Sequence, residues 1–124
     1  MIKLSKLLHP TDFSELSVYA LRYAKSFARA YQARLHCLHV VDEAYQYWMA
    51  MGPNSVPVGP ATEDIIASAR KQMQQFVEQH LTEPDLKVIS EVVLGRPFME
   101  IIRYARQQGI DLIVLATHGR TGLS

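Results

Sequence analysis

Apolar residues along this chain form short continuous runs separated by longer stretches with helical spacing. The runs lie at 4–9, 35–41, 86–94 and 111–116, each about as long as a typical strand. Between them apolar residues recur every three or four positions, which predicts helices. The alternation of strand and helix predicts an α/β fold, an open parallel sheet with helices on both faces. The run at 111–116 is the most apolar, which favours a central strand.

The first predicted helix covers residues 15–32, and polar side chains at Thr11, Asp12 and Ser14 precede it as capping groups. Its predicted buried stripe consists of Leu16, Ala20, Tyr23, Ala24, Phe27, Ala28 and Tyr31.

Two further helices are predicted. The second begins at Thr62, an N-cap residue, and its predicted buried residues are Ile66, Ala69, Met73, Phe76, Val77 and Leu81. The third follows Gly95 and Pro97 and ends before Gly109. One face of this third helix carries Phe98, Ile101, Ile102 and Ala105.

Composition narrows the class of protein. The chain has 124 residues, of which 48% are hydrophobic and 20% charged, so we expect one folded domain. A formal net charge of +1 without long runs of like charge indicates neither nucleic-acid nor membrane binding. The single cysteine, Cys37, excludes an intramolecular disulfide. No signal peptide or membrane span is predicted, and a cytoplasmic location is expected.

The segment 42–61 is rich in proline, aromatic residues and methionine, and we expect a long loop there. Its cluster from Tyr45 to Met51 is compatible with a lid over a ligand, a dimer contact or a plain packed loop.

Two loops carry chemistry suited to an anionic ligand, because open α/β sheets bind ligands beyond the carboxyl ends of their strands. The first, His9–Ser14, offers a carboxylate and two hydroxyls. The second, Ala116–Ser124, offers glycine backbone and the positive charge of Arg120. By itself the Gly119-x-x-Gly122 spacing fits a phosphate loop or a tight turn equally well.

A metal site is not favoured. His36, Cys37 and His39 are the usual types of ligand, but strand alternation places His36 opposite the other two. Too few ligands then converge.

The chain resembles the universal stress protein family. Similar segments are Lys6-Leu7-Leu8-His9-Pro10-Thr11-Asp12-Phe13-Ser14, Leu38-His39-Val40-Val41, Gly95-Arg96-Pro97 and Asp111-Leu112-Ile113-Val114-Leu115-Ala116-Thr117-His118-Gly119-Arg120-Thr121-Gly122-Leu123-Ser124. The resemblance implies a flavodoxin-like, adenine nucleotide alpha hydrolase-like fold with strand order 3-2-1-4-5. We expect residues 1–124 to form one such domain, without the family's last helix and fifth strand.

The resemblance also implies a ligand, ATP, with or without Mg. In ATP-binding members the phosphates are held by Gly-x-x-Gly, a spacer and Gly-Ser or Gly-Thr. Ala116 stands at the first glycine and Gly119 at the second. The nucleotide-binding residues implied are Pro10, Thr11, Asp12, Val41, Ala116, Thr117, His118, Gly119, Arg120 and Gly122.

The resulting prediction is a homodimeric stress-response protein that acts through its nucleotide-bound state on an unknown protein partner. The alternative is a family member that binds no nucleotide and serves as a dimeric interaction module. No residue is identified as a general base, so at most slow ATP hydrolysis is expected. An ATP pyrophosphatase and a phospho-receiver domain fit less well, because His9-Pro10-Thr11-Asp12 is not a Ser-Gly-Gly loop and no paired acids accompany the first strand.

Overall fold

The sheet is parallel, and its strands alternate with helices along the chain. A computed structural model describes residues 2–42 and 62–117. The described elements, in chain order, are β1 (Lys6–Pro10), α1 (Glu15–Tyr31), β2 (Arg34–Asp42), α2 (Thr62–His80), β3 (Lys87–Gly95), α3 (Pro97–Gln108) and β4 (Leu112–Ile113). The predicted loop 42–61 lies, apart from Asp42, outside the described residues.

The strands are ordered β3-β2-β1-β4, and all three pairings are parallel. This confirms the predicted α/β fold and the order of its first four strands. The fourth strand differs from its prediction over 111–116, because β4 covers only Leu112–Ile113 and lies at the edge of the described sheet. Asp111 fixes its start, since the carboxylate accepts backbone N–H groups of Ser5 and Lys6 at 2.8 and 3.0 Å.

The core lies on both faces of the sheet. Leu7, Leu35 and Cys37 pack against α1 and α2 on one face, whereas Leu8 and Leu38 pack against Tyr104 of α3 on the other. As strand alternation predicts, His36 lies on the α3 face and Cys37 on the α1–α2 face.

The prediction for α1 is correct for its alanines and wrong for its aromatic residues. Ala20, Ala24 and Ala28 are buried, together with Ser17 and Leu21, which the predicted stripe omits. Tyr23, Phe27 and Tyr31 are instead 53%, 41% and 45% exposed. Small alanine side chains let the helix lie close to the sheet, and the bulky rings are left at its flank.

The remaining helices follow their predictions more closely. In and just after α2, the buried residues are Ala69, Met73, Phe76 and Leu81. Ile66 and Val77 are half-buried. In α3, Ile101 and Ala105 pack against the core, but Phe98 and Ile102 are exposed, which corrects their predicted place in a buried face. Gly109 ends α3 in the left-handed conformation, as predicted.

Candidate functional site

The site lies where the strand order changes direction. From β1 the chain crosses to β2 on one side, and β4 lies on the other. Such switch points open a crevice at the carboxyl ends of the strands. Here the crevice lies between the end of β1 and residues 115–117, which follow β4.

Two hydrogen bonds made by the Thr11 backbone fix the first loop of the crevice to β2. The Thr11 N–H donates to the Leu38 carbonyl at 2.8 Å, and the His39 Nδ1–H donates to the Thr11 carbonyl at 2.7 Å. Both polar groups of the Thr11 backbone are therefore satisfied, and the residue is buried. The loop begins from a rigid anchor.

Residues 12–14 turn sharply into α1. Asp12 is exposed, and its Oδ1 accepts the Ser14 N–H at 2.9 Å. Phe13 has a φ of 67°, a left-handed conformation that is unusual for a bulky residue. Its ring packs against His39 and Phe76, with ring centroids 4.4 and 5.6 Å apart. Ser14 then caps α1 by accepting the Ser17 N–H at 3.1 Å.

A buried polar cluster lies beneath this loop. The His9 Nδ1 contacts the Val114 carbonyl at 2.9 Å, and its Nε2 contacts the Ser17 hydroxyl at 3.2 Å. Ser17 also hydrogen-bonds the hydroxyl of Thr11. Burial lowers the pKa of His9, and the Val114 carbonyl and the Asp12 carboxylate oppose that shift. The ring is therefore neutral at pH 7.

The crevice contains a cavity of about 240 Å³. Its lining includes the polar residues Thr11, Asp12, Ser17 and Thr117, and the other lining residues are apolar. The full lining consists of Pro10, Thr11, Asp12, Ser17, Leu38, Val40, Pro97, Phe98, Ile101, Leu115, Ala116 and Thr117. A mostly apolar cavity with a few polar groups is typical of sites for small-molecule ligands.

Five of the residues predicted for the site line this one cavity: Pro10, Thr11, Asp12, Ala116 and Thr117. Val41 is not among the lining residues of this cavity. Its side chain is buried, and it lines a second cavity with Asp42 and Asp64, whereas its neighbour Val40 lines both. His118, Gly119, Arg120 and Gly122 lie outside the described residues.

The apolar wall was not predicted from the sequence. Leu38 and Val40 come from β2, and Pro97, Phe98 and Ile101 come from the first turns of α3. Helical spacing alone places Phe98 and Ile101 in a core-facing stripe. Their position beside the crevice follows from the crossover that carries the chain from β3 past β2 and β1 to β4.

Within residues 2–42 and 62–117, no group of three or more His, Cys, Asp or Glu side chains could hold a metal ion. None of the helices in these ranges is both long and apolar enough to cross a bilayer.

Comparison with known proteins gives consistent matches. The model of the universal stress protein family matches residues 3–124. Universal stress protein MJ0577 of Methanocaldococcus jannaschii is 27% identical over 128 residues, an alignment that spans 95% of this chain and 79% of that protein. Universal stress protein YxiE of Bacillus subtilis is 27% identical, spanning 96% of this chain and 82% of YxiE.

Solved structures agree with these matches. The structure of MJ0577 superposes with a TM-score of 0.76 at 28% identity, covering 99% of this chain and 81% of that one. Universal stress protein UspA from Lactobacillus plantarum superposes with a TM-score of 0.72 at 28% identity, covering 98% of this chain and 83% of its own.

Proposed function

Because this chain belongs to the universal stress protein family, we propose that it binds ATP, or a related adenine nucleotide, in the crevice between β1 and β4. The observation that carries the proposal is the cavity itself, which brings Thr11 and Asp12 together with Ala116 and Thr117. These segments are distant in sequence and come from the two loops in which the family's ATP-binding members hold their nucleotide.

The apolar and the polar residues of the cavity suit different parts of a nucleotide. Leu38, Val40 and Ile101 offer apolar contact to the flat adenine ring. The exposed Asp12 carboxylate accepts hydrogen bonds, which suits a ribose hydroxyl. Cofactor sites usually measure roughly 300–1,000 Å³, so the cavity of about 240 Å³ suits the base and sugar. The phosphates then extend past Thr117 at the edge of the cavity. The predicted phosphate-binding residues Gly119, Arg120 and Gly122 follow Thr117 in the sequence.

In this proposal the chain is a cytoplasmic regulatory module of the stress response. Its nucleotide-bound state, with or without Mg, is read by a protein partner. His9 is not available as a general base for water, since it is buried and both of its ring nitrogens are hydrogen-bonded. Binding is the proposed activity, with at most slow hydrolysis.

Binding can be tested on the purified protein in two ways. Denaturation should release ATP or ADP, detectable by chromatography, and titration of nucleotide-free protein with Mg-ATP should give a measurable Kd. Asp12→Ala should weaken binding roughly tenfold or more, as expected for loss of a hydrogen bond to a charged group. Asp85→Ala is the matched control, because Asp85 pairs with Arg29 just before β3, at the opposite end of the sheet. Absence of both released nucleotide and measurable binding would refute the proposal.

A second candidate is a homodimeric interaction module that binds no nucleotide. One observation favours it: α1 exposes a line of aromatic side chains spaced four residues apart, namely Tyr19, Tyr23, Phe27 and Tyr31. Aromatic side chains of this kind are enriched at protein interfaces. Both candidates predict a dimer in sedimentation equilibrium, so titration with Mg-ATP separates them: a dimer that gives no measurable Kd for Mg-ATP would favour the module.

A further inference from the structure

Within the described residues, the His9 side chain makes the last hydrogen bond between β1 and the segment after β4 before the crevice. The paired residues are Leu7 with Leu112 and Leu8 with Ile113, and the Val114 N–H adds one more bond, to the Leu8 carbonyl at 2.9 Å. Beyond that point, in the part of the chain that the structure describes, the His9 ring makes the next contact, to the Val114 carbonyl. Val114 lies two residues before Ala116, which lines the cavity.

The hydrogen bonds in this cluster have only one consistent direction for a neutral ring. A carbonyl oxygen only accepts, so His9 donates its Nδ1–H to Val114 and its bare Nε2 accepts the Ser17 hydroxyl. With its proton used, Ser17 accepts from the Thr11 hydroxyl. The Thr11 oxygen in turn accepts the Phe13 N–H at 3.0 Å. This series of hydrogen bonds therefore runs from Phe13 through Thr11, Ser17 and His9 to Val114.

This series of hydrogen bonds joins the two loops that line the cavity. Thr11 and Phe13 belong to the loop after β1, and Val114 belongs to the segment after β4. Ser17 and His9, the links between them, are 4% and 0% exposed, so water does not compete for their bonds. Together these bonds fix the distance between one side of the crevice and the other.

We propose that His9 and Ser17 are positioning residues of the nucleotide site, which hold the Thr11 loop and the end of β4 at the separation that lets one nucleotide contact both. The inference rests on the proposed function, because the two loops need a fixed separation only if one ligand bridges them. Neither residue has to touch the nucleotide for this role. Ser17 sits at the cavity wall, and His9 acts through Val114 and Ser17.

Ser17→Ala tests the role most directly, because it removes one hydroxyl and interrupts the series of hydrogen bonds at its centre. We expect the Kd for Mg-ATP, measured by calorimetry on the full chain, to rise roughly 3- to 10-fold, the equivalent of one net hydrogen bond. Ser17→Thr keeps the hydroxyl and should restore an affinity within about twofold of wild type, even if its added methyl lowers the Tm.

Leu35→Val controls for loss of stability. Leu35 is fully buried near the amino end of β2, away from the crevice, and the substitution removes one buried methylene group. It should lower the Tm and leave the Kd unchanged. Equal effects of Ser17→Ala and Leu35→Val on the Kd, or no effect of Ser17→Ala, would overturn the positioning role while ATP binding by wild type stands. Lack of ATP binding by the wild-type chain would overturn both proposals.

NMR tests which groups donate and which accept in this series of hydrogen bonds. Nitrogen-15 NMR of the wild-type protein at pH 7 should show His9 neutral with its proton on Nδ1. A proton on Nε2 would leave the Val114 carbonyl without this donor, and that result would overturn the proposed series of hydrogen bonds irrespective of any binding measurement.

Discussion

The His36 ring on β2 and the Tyr104 hydroxyl on α3 are joined by a hydrogen bond of 2.6 Å inside the α3 face of the core. The rings meet edge to face, with centroids 5.5 Å apart. Burial raises the pKa of Tyr104 to about 12, and the negative charge of Glu91 adds to the shift, so the hydroxyl stays protonated at neutral pH. Among the described residues, His36 Nε2 is a buried polar atom without a hydrogen-bond partner.

Tyr104→Phe should therefore be costly. It removes the partner of His36 Nδ1 and leaves a buried ring with neither nitrogen bonded, a change that typically costs about 1–3 kcal/mol. Urea denaturation measures the free energy of unfolding. Tyr23→Phe is the matched control, because the partner of the Tyr23 hydroxyl among the described residues is the exposed Tyr19 hydroxyl at 3.4 Å. Equal stability changes in the two variants would contradict the prediction.

Gln32→Gly should stabilise the protein. Gln32 ends α1 with φ 55° and ψ 39°, a left-handed conformation that glycine adopts without strain. After the larger chain entropy of glycine in the unfolded state is subtracted, the expected gain is about 0.5–1 kcal/mol, read from the urea midpoint.

The reverse change at the end of α3 provides the control. Gly109 has a φ of 66°, and an added Cβ would meet no atom within 4 Å, so only backbone strain separates glycine from alanine there. Gly109→Ala should lose about 1 kcal/mol. A stabilising Gly109→Ala, or a destabilising Gln32→Gly, would show that left-handed strain does not decide stability at these two ends.

The sequence is informative about elements and less so about which side of each helix is buried. For α1 the sequence offers two overlapping stripes, one of alanines and one of aromatic residues. Hydrophobicity alone favours both, but Ala24 is 0% exposed and Tyr23 is 53% exposed, because close packing of helix on sheet admits only the small side chains. The buried stripe also contains Ser17. Because serine is polar, hydropathy alone does not predict that it is buried.

The candidate site divides in the same way. Thr11 and Asp12 could be predicted because a polar loop after a strand at the head of a helix is a local pattern. The wall formed by Leu38 and Ile101 could not, because it depends on which strands become neighbours. Likewise, nothing near His9 in sequence indicates Val114 as its partner, since that contact arises only from the pairing of β1 with β4.

Cys37 should be unreactive in the folded protein. Its thiol is fully buried, and burial raises its pKa to about 12, so almost no thiolate is present at pH 8. Because the chain has one cysteine, Ellman's reagent reports on it alone. We expect reaction to follow unfolding in urea and to be at least about 100-fold slower than that of glutathione in buffer. Rapid labelling of native protein would show that β2 opens locally.

Acidification should destabilise the protein through His9. Burial lowers the pKa of His9 in the folded state, so the unfolded chain, in which the pKa is about 6.5, binds the proton more tightly. The stabilising contribution is therefore complete above pH 6.5 and is lost as the pH falls towards the pKa of the folded state. The loss from this one group is at most about 1.4 kcal/mol per pH unit.

The measurement is urea unfolding of wild type and His9→Gln between pH 8 and pH 5. His9→Gln should be less stable at pH 8 because it disrupts the hydrogen bond from His9 to the Val114 carbonyl. Its stability should nevertheless fall less steeply below pH 6.5. Since the shift comes mainly from burial, which salt does not screen, the difference in slope should persist in 0.5 M NaCl, a salt level that leaves a Debye length of only about 4 Å. Identical slopes for the two proteins would mean that His9 does not titrate with unfolding, because protonation of a neutral, buried, doubly hydrogen-bonded ring has to appear in that slope.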